Sequence, residues 1–200
     1  MKYILDFDGV ISNTEALKKV MGELQVVESS RSGSTFTEMQ ERIGLTLNAQ
    51  SFLFKDAVAF LKEHAEECVV ISSYQSINPD NNKGLTDEVQ KQYQEAKMLF
   101  SGIADIIGKH NIHIVGISKK EKLAELQREY TDAGEGFCFV DDREVYINEA
   151  IDLGIPAYVM NRSEKRKSTF EGFFSVEKRK NEIHSFEGFV ARLEADIRHT

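Results

Sequence analysis

The stretch YILDFDGV, residues 3–10, joins a short apolar run to two carboxylates and a glycine. The run lacks the polar–apolar alternation of a strand with one wet face, so it predicts a strand buried on both faces. Asp6 and Asp8 come at its carboxyl end, where open parallel sheets bind their ligands. Burying two like charges is costly unless a cation or hydrogen bonds compensate, so the pair indicates a functional site.

Similar short apolar runs recur along the chain and alternate with segments of helical periodicity. The predicted strands after the first are Cys68–Ser72, Ile112–Ile117, Phe137–Val140 and Ala157–Met160. The predicted helices are Asp56–His64, Glu88–Phe100, Lys119–Tyr130, Asn148–Leu153 and a stripe from Phe186 to Ile197 that docks on the sheet. Such alternation predicts an α/β fold, with a parallel sheet covered by helices on both faces.

After the first strand, about fifty residues interrupt this alternation of strands and helices. Thr14–Leu24 predicts a helix with Thr14 as its N-cap, and a polar link follows at residues 28–34. Apolar residues from Phe36 to Leu47 then form a second helical stripe. We interpret residues 12–53 as a small helical cap inserted into a core formed by residues 1–11 and 54–200.

Composition excludes several classes of protein. The 200 residues carry 25 Lys plus Arg against 33 Asp plus Glu, a net charge of −8, and 41% are hydrophobic. This profile is that of a folded domain rather than a disordered chain, and it argues against nucleic acid as a partner because no broad basic field is present. No apolar run is long enough for a membrane span, and the N-terminus lacks the pattern of a secretion signal. Two lone cysteines, Cys68 and Cys138, form no disulfide framework, so a cytoplasmic location is expected.

A second carboxylate pair, Asp141-Asp142, directly follows the predicted strand Phe137–Val140. Two strand ends that each deliver two carboxylates would concentrate negative charge unless a divalent cation is bound. Oxygen ligands without His or Cys suit Mg²⁺, which also binds substrate phosphates. A calcium loop starting at Asp6 is excluded because its twelfth residue is Leu17 and not Glu.

Two weaker signals accompany the carboxylates. Ser72 ends the second strand, where its hydroxyl can donate to a phosphoryl oxygen. Lys119, Lys120 and Lys122 lie at the start of a predicted helix. Cations there oppose the helix dipole, so one of these lysines is a candidate to bind an anion.

The ordered set of motifs resembles the haloacid dehalogenase (HAD) superfamily, most of whose members are phosphatases. The set is a DxDG strand, a strand ending in Ser, a Lys at a helix start and a strand ending in an acidic pair. It spans the chain from Lys2 to Met160. The resemblance implies a Rossmann-like core, a small phosphorylated substrate, and phosphate-ester chemistry rather than dehalogenation, because Asp8 is present.

Residue roles follow from the same resemblance. Asp6 would be the nucleophile that forms an aspartyl-phosphate, and Asp8 the general acid and base. Asp6, the backbone carbonyl of Asp8 and Asp142 would hold Mg²⁺, with Asp141 as a further ligand or as a neighbour of the ligands.

The remaining roles concern the phosphoryl group. Ser72 would hydrogen-bond it, Lys119 would neutralise both nucleophile and phosphate, and Gly9 with adjacent amides would cradle its oxygens. Lys120 and Lys122 stay open as alternatives to Lys119.

Two other functions remain compatible with the sequence. A phosphomutase of the same fold would need a cap that excludes water between two transfers, and this insertion is small for that. A non-catalytic binding or regulatory protein could use the same scaffold, although such proteins usually lose the nucleophile or the acid. Arg31 and Arg42, in the insertion, are candidates to contact a second anionic group of the substrate, although each can equally be an ordinary solvent-exposed arginine.

Overall fold

A computed structural model describes residues 1–17, 19–20, 52–74, 87–162 and 181–198 of the chain. In these residues a parallel sheet has the strand order β3-β2-β1-β4-β5-β6. The strands are β1 (Lys2–Leu5), β2 (Cys68–Ser73), β3 (Ile112–Val115), β4 (Phe137–Asp141), β5 (Ala157–Met160) and β6 (Glu182–Ile183). The α/β fold predicted from the sequence is therefore confirmed, and β6 is a strand that the sequence analysis did not predict.

Helices connect and cover these strands. They are α1 (Lys55–Glu63), α2 (Asp87–Ser101), α3 (Ile103–Ile107), α4 (Lys120–Asp132), α5 (Glu144–Asp152) and α6 (Phe186–Arg198), with a short 3₁₀ turn at Lys109–Asn111. The helix predicted from Asn148 begins four residues earlier, at Glu144. None of the helices in the described part of the chain is long and apolar enough to span a bilayer.

Alternate residues of the strands β1, β2, β4 and β5 enter two separate hydrophobic cores, because successive side chains of a strand point to opposite faces. On one face Leu5 and Val70 pack with residues of α1, α2, α3 and α6. On the other face Ile4 and Val69 pack with α4 and α5. Both faces of the sheet are therefore buried, which explains why the strands read as continuous apolar runs. Cys68 and Cys138 lie in the first core as free, buried thiols.

The strand order places a crevice above the sheet. The chain runs from β1 outward to β2 and β3 and then returns to β4 on the other side of β1. Such a reversal leaves a cleft at the carboxyl ends of the two central strands, where open α/β sheets bind ligands. In this protein those ends carry Asp6 and Asp141.

Both ends of the predicted insertion lie beside this crevice. Ser12 bridges to Leu53, and the Asn13 backbone N–H donates to the Phe52 carbonyl at 2.7 Å. Residues 21–51, which include Arg31 and Arg42, lie outside the described residues.

The predicted N-cap at Thr14 is wrong. Thr14 is already helical, and the Asn13 side chain accepts the hydrogen bond from the Ala16 backbone N–H at 3.2 Å. The Thr14 hydroxyl instead donates to Asp8.

Candidate active site

Three carboxylates meet at the carboxyl ends of β1 and β4. Oxygens of Asp6, Asp141 and Asp142 all lie within 4.8 Å of one another. Asp141 is completely buried, and Asp6 and Asp142 are 5% and 9% exposed. The two acidic motifs, 135 positions apart in the chain, thus form one cluster of hard oxygen donors that can hold a divalent cation.

Lys119 provides the positive charge inside this cluster. Its side chain is completely buried, and Nζ lies 2.5 Å from Asp6 Oδ1 and 2.7 Å from Asp141 Oδ2. The other two lysines considered from the sequence lie elsewhere: Lys120 is 3.8 Å from Asp152, and Lys122 pairs with Glu125 at the surface. Lys119 is therefore the lysine of this motif that reaches the carboxylates.

The start of α4 is built to direct Lys119 inward. The Ser118 hydroxyl accepts a hydrogen bond from the Lys120 backbone N–H at 3.1 Å and donates to Glu149 at 2.8 Å. Glu149 also accepts from the Lys119 backbone N–H at 2.9 Å. Glu149 of α5 thus holds the first turn of α4, which fixes the backbone from which the Lys119 side chain extends.

Negative charge exceeds positive charge in the cluster, and the pKa values reflect this. Burial raises the pKa of Asp6 well above its usual range, and Asp141 and Asp142 raise it further although Lys119 opposes them. Burial likewise raises the pKa of Asp141 to about 6. Burial lowers the pKa of Lys119, but Asp141 and Asp6 outweigh this and hold it above its usual value. Lys119 and the nearby guanidinium of Arg143, whose pKa these carboxylates raise, together face three carboxylates. The remaining excess of negative charge is one that a divalent cation would neutralise.

Asp8 belongs to a different network, formed mostly by α2. Lys97 Nζ lies 2.7 Å and 3.0 Å from its two carboxylate oxygens. Gln94 Nε2 donates to Oδ2 at 2.8 Å, and the Thr14 hydroxyl donates to Oδ1 at 2.5 Å. The Asp8 carboxylate therefore has a fixed orientation, while its side chain stays 23% exposed and accessible from the crevice.

These donors decide the charge of Asp8. Burial by itself raises its pKa, but the charge of Lys97 and the hydrogen bonds from Lys97, Thr14 and Gln94 together hold the pKa of Asp8 well below its usual value. Asp8 is accordingly ionised in the structure near neutral pH.

Gln94 also connects Asp8 to Ser72. Its Nε2 donates to the Ser72 hydroxyl oxygen at 2.6 Å, and Ser72 is completely buried. Ser72 therefore belongs to the Asp8 network, as the acceptor of a hydrogen bond from Gln94. The neighbouring Ser73 donates to the Gly116 carbonyl.

Gly9 lies where the loop after β1 passes close to Asp142. Its φ is +85°, a conformation that other residues rarely adopt, and a Cβ at this position would overlap the Asp142 carboxylate. The close approach that glycine allows is thus the approach of Asp142 to the loop after β1.

Lys97 and Gln94 were missed by sequence reasoning. With Gln90 they form a polar stripe on the buried face of α2 at spacings of four and three residues. A buried polar stripe signals a partner across the interface, but the sequence does not show that the partner is Asp8.

Comparison of the structure with solved structures identifies the fold. A haloacid dehalogenase-like hydrolase from Burkholderia xenovorans LB400 superposes with a TM-score of 0.50 at 13% identity, covering 79% of this chain and 80% of that chain. The D,D-heptose 1.7-bisphosphate phosphatase from B. bronchiseptica, crystallised with magnesium and phosphate, superposes with a TM-score of 0.55 at 14% identity, covering 98% and 99%. No family model matches the sequence, and no curated protein matches it either. The fold is that of HAD-like hydrolases, as the sequence motifs predicted.

Proposed function

We propose that this protein is a Mg²⁺-dependent phosphomonoester hydrolase that works through an aspartyl-phosphate on Asp6, with Asp8 as general acid and base. The observation that carries the proposal is the division of charges at the crevice. Asp6 lies in a buried cluster with Lys119, Asp141 and Asp142, while Asp8, two residues away, is held separately by Lys97 and Gln94. Two carboxylates in different environments can take different roles in one reaction.

The carboxylate cluster suits Mg²⁺. Its donors are oxygens only, and they surround a region with excess negative charge. Asp6, Asp142 and the Asp8 backbone carbonyl would hold the ion, with Asp141 beside them bound to Lys119. When bound, Mg²⁺ supplies charge that stabilises the phosphoryl oxygens during transfer. The likeness to a phosphatase crystallised with magnesium and phosphate supports this choice.

In the first step a carboxylate oxygen of Asp6 attacks phosphorus, and the bond from phosphorus to the ester oxygen breaks. Lys119 offsets the charge of Asp6, so an anionic phosphate can approach it. Asp8 gives a proton to the departing oxygen. A phosphate dianion beside Asp8 favours the protonated carboxyl by charge repulsion, against the effect of Lys97.

In the second step Asp8, now ionised, takes a proton from water, and the resulting hydroxide attacks phosphorus. The bond from phosphorus to Asp6 breaks, which releases inorganic phosphate and restores the Asp6 carboxylate. Gln94 and Lys97 keep Asp8 in one orientation through both steps.

The segment of residues 12–53 would act as a cap over this reaction. Its two ends are joined beside Asp8 through the Ser12–Leu53 bridge. We assign to it control of access and of substrate choice.

The function is tested by incubating the protein with a panel of phosphomonoesters, with Mg²⁺ and with a chelator. We expect phosphate release from at least one ester, loss of release with the chelator, and recovery when Mg²⁺ is added back. In Asp8→Asn we expect a single burst that leaves phosphate covalently bound to Asp6, detected as added mass, because the second step lacks its base. Asp132→Asn, an exposed site far along α4, is the matched control and should behave as wild type. A folded protein that hydrolyses no ester would favour the binding-protein alternative.

Lys97→Met is expected to impair both catalysis and stability. Losing the ion pair leaves Asp8 partly buried without its main partner, which lowers the unfolding free energy at pH 7 by about 2 kcal/mol and kcat by about 100-fold. Since the pKa of Asp8 is held below 3.8 in the wild type, the stabilisation from the pair is lost as pH falls through the acid range. The difference in unfolding free energy between wild type and variant should therefore shrink on acidification.

Lys91→Met, an exposed lysine on the same helix, is the control for this experiment. It should change unfolding free energy by less than about 0.5 kcal/mol. Equal effects of the two substitutions would show that the Lys97–Asp8 pair has no special role.

A further inference from the structure

The Ser72 hydroxyl lies near the end of β2, which runs parallel to β1. Ser72 is therefore at the same edge of the sheet as Asp6 and Asp8, but its side chain is completely buried. A cavity of about 300 Å³ opens at this edge and is lined by Asp8 and Asp142, whereas Ser72 is not among the described residues that line it. A phosphate in this cavity therefore has no exposed surface of Ser72 to contact.

The Ser72 hydroxyl contacts the amide of Gln94. Gln94 Nε2 donates to Ser72 Oγ at 2.6 Å and to Asp8 Oδ2 at 2.8 Å, and the Gln94 side chain is itself buried. An ionised carboxylate can only accept hydrogen bonds, so the amide presents its N–H groups to Asp8 and not its carbonyl. The amide nitrogen carries two N–H groups, and the two contacts use both of them.

Two acceptors on different elements fix the plane of this amide. The last torsion of a glutamine side chain has a broad energy minimum, so a single hydrogen bond to Asp8 would let the amide swing. The two N–H groups diverge within the amide plane, so the bond to Ser72 sets the direction of the N–H that faces Asp8. Because Ser72 belongs to a strand inside the sheet, it is a rigid anchor for Gln94.

Lys97 contributes charge to Asp8 rather than orientation. Its ammonium lies 2.7 Å and 3.0 Å from the two carboxylate oxygens. An ammonium has rotatable donors on a flexible stem, so it follows a carboxylate that turns. The orientation of Asp8 is therefore set by the Thr14 hydroxyl at Oδ1 and by the planar Gln94 amide at Oδ2.

We propose that Ser72 is a positioning residue for Asp8, which it orients through the Gln94 amide. The proposal rests on the proposed phosphatase function and gives Ser72 a different role from the phosphoryl contact expected from the sequence. In the second step Asp8 has to point at the attacking water, and a small misplacement of a catalytic group is costly. Because the Ser72 hydroxyl keeps a proton of its own, the experiment has to separate positioning from direct donation to a phosphoryl oxygen.

The test compares Ser72→Ala, Gln94→Met and the double variant in two measurements on the Mg²⁺-loaded protein. The first is the affinity for propylphosphonate, measured by calorimetry. The second is the breakdown of the aspartyl-phosphate, followed by mass as the loss of covalently bound phosphate after a brief exposure to the best ester of the panel. Methionine is close to glutamine in shape but has no N–H group to donate.

We expect each single substitution to slow the breakdown by about 10-fold. The double variant should stay within about 3-fold of Gln94→Met, because both substitutions remove the same link to Asp8. The affinity for propylphosphonate should stay within about 2-fold of wild type in all three variants. A direct phosphoryl contact would instead weaken propylphosphonate binding in Ser72→Ala by about 10-fold, and its effect on breakdown would multiply with that of Gln94→Met. Either result would overturn the proposal.

Two substitutions on α2 are matched controls and should behave as wild type in both measurements. Ser101→Ala removes another buried serine hydroxyl, which donates to the Met98 carbonyl at 2.7 Å. Gln92→Met removes an exposed amide that donates to Glu88 at 3.0 Å. If Ser72→Ala is unfolded at the assay temperature, Ser72→Cys takes its place, since a thiol is of similar size and is only a weak acceptor.

Failure of this inference is distinguishable from failure of the proposed function. If the wild type hydrolyses no ester and forms no aspartyl-phosphate, the proposed function fails, and with it any role of Ser72 in orienting a general base. If the wild type is active and Ser72→Ala loses its bound phosphate at the wild-type rate, only the positioning role is wrong.

Discussion

Asp6→Asn is expected to abolish turnover, with kcat reduced by about 10⁴-fold or more, because the carboxamide cannot form the aspartyl-phosphate. The protein should fold normally. Asparagine has the same shape, and its Oδ1 can still accept the hydrogen bond that Lys119 gives to Asp6. The substitution also removes one charge from a cluster in which burial and two other carboxylates already oppose ionisation. Phosphate release measured with the best ester of the panel, together with the melting temperature, tests both statements.

The outcome for Asp6→Asn separates chemistry from binding. Calorimetry should show that the variant still binds a phosphonate, while mass spectrometry should show no phosphorylated protein after mixing with substrate. If the variant kept more than a few per cent of wild-type turnover, Asp6 would not be the nucleophile. A second attacking group, such as an activated water, would then have to be sought.

Lys119→Met is expected to have the largest effect on stability. It leaves Asp6 and Asp141 buried without the ammonium that lies within 2.7 Å of both. Removing one partner from a buried ion pair costs about 3–5 kcal/mol, which corresponds to a fall of about 10 °C in Tm for a chain of this size. Turnover should fall by about 10³-fold, since a phosphate would meet uncompensated carboxylates.

Mg²⁺ should partly restore the stability of Lys119→Met, because a divalent cation can compensate the carboxylates that the lysine no longer neutralises. The neighbouring Lys120→Met is the control, since Lys120 is half exposed and lies 3.8 Å from Asp152. It should change the unfolding free energy by less than about 0.5 kcal/mol. Equal effects in the two variants would contradict the assignment of Lys119 to the site.

The sheet could be predicted because a strand that is buried on both faces has a recognisable sequence, a short apolar run without polar–apolar alternation. The runs at Cys68–Ser73 and Ala157–Met160 contain no charged residue and do not alternate between polar and apolar residues, which is typical of a strand covered on both sides. The pair Glu182–Ile183 has no such pattern, because a two-residue strand at the edge of the sheet is defined by its pairing with Val159 and Met160.

The carboxylates could be located from the chain for a similar reason. Two acidic pairs directly after buried strands are costly unless they share a function, and parallel strands bring their carboxyl ends to one edge. Only the tertiary structure distinguishes Lys119 from Lys120 and Lys122. Neighbouring residues at a helix start point in different directions, and Lys119 is the one that is completely buried.

Residue types and their order along the chain were therefore enough to indicate the sheet, its direction and the acidic strand ends, since each leaves a pattern within a few neighbouring residues. The residues that pair with those carboxylates were decided by the tertiary packing of the helices on the sheet. Lys97 and Gln94 reach Asp8 across 86 or more positions, and Arg143 and Arg162 line one cavity from two different strand ends. Contacts between residues so distant in the chain depend on how helices seat on the sheet, and no local pattern encodes that geometry.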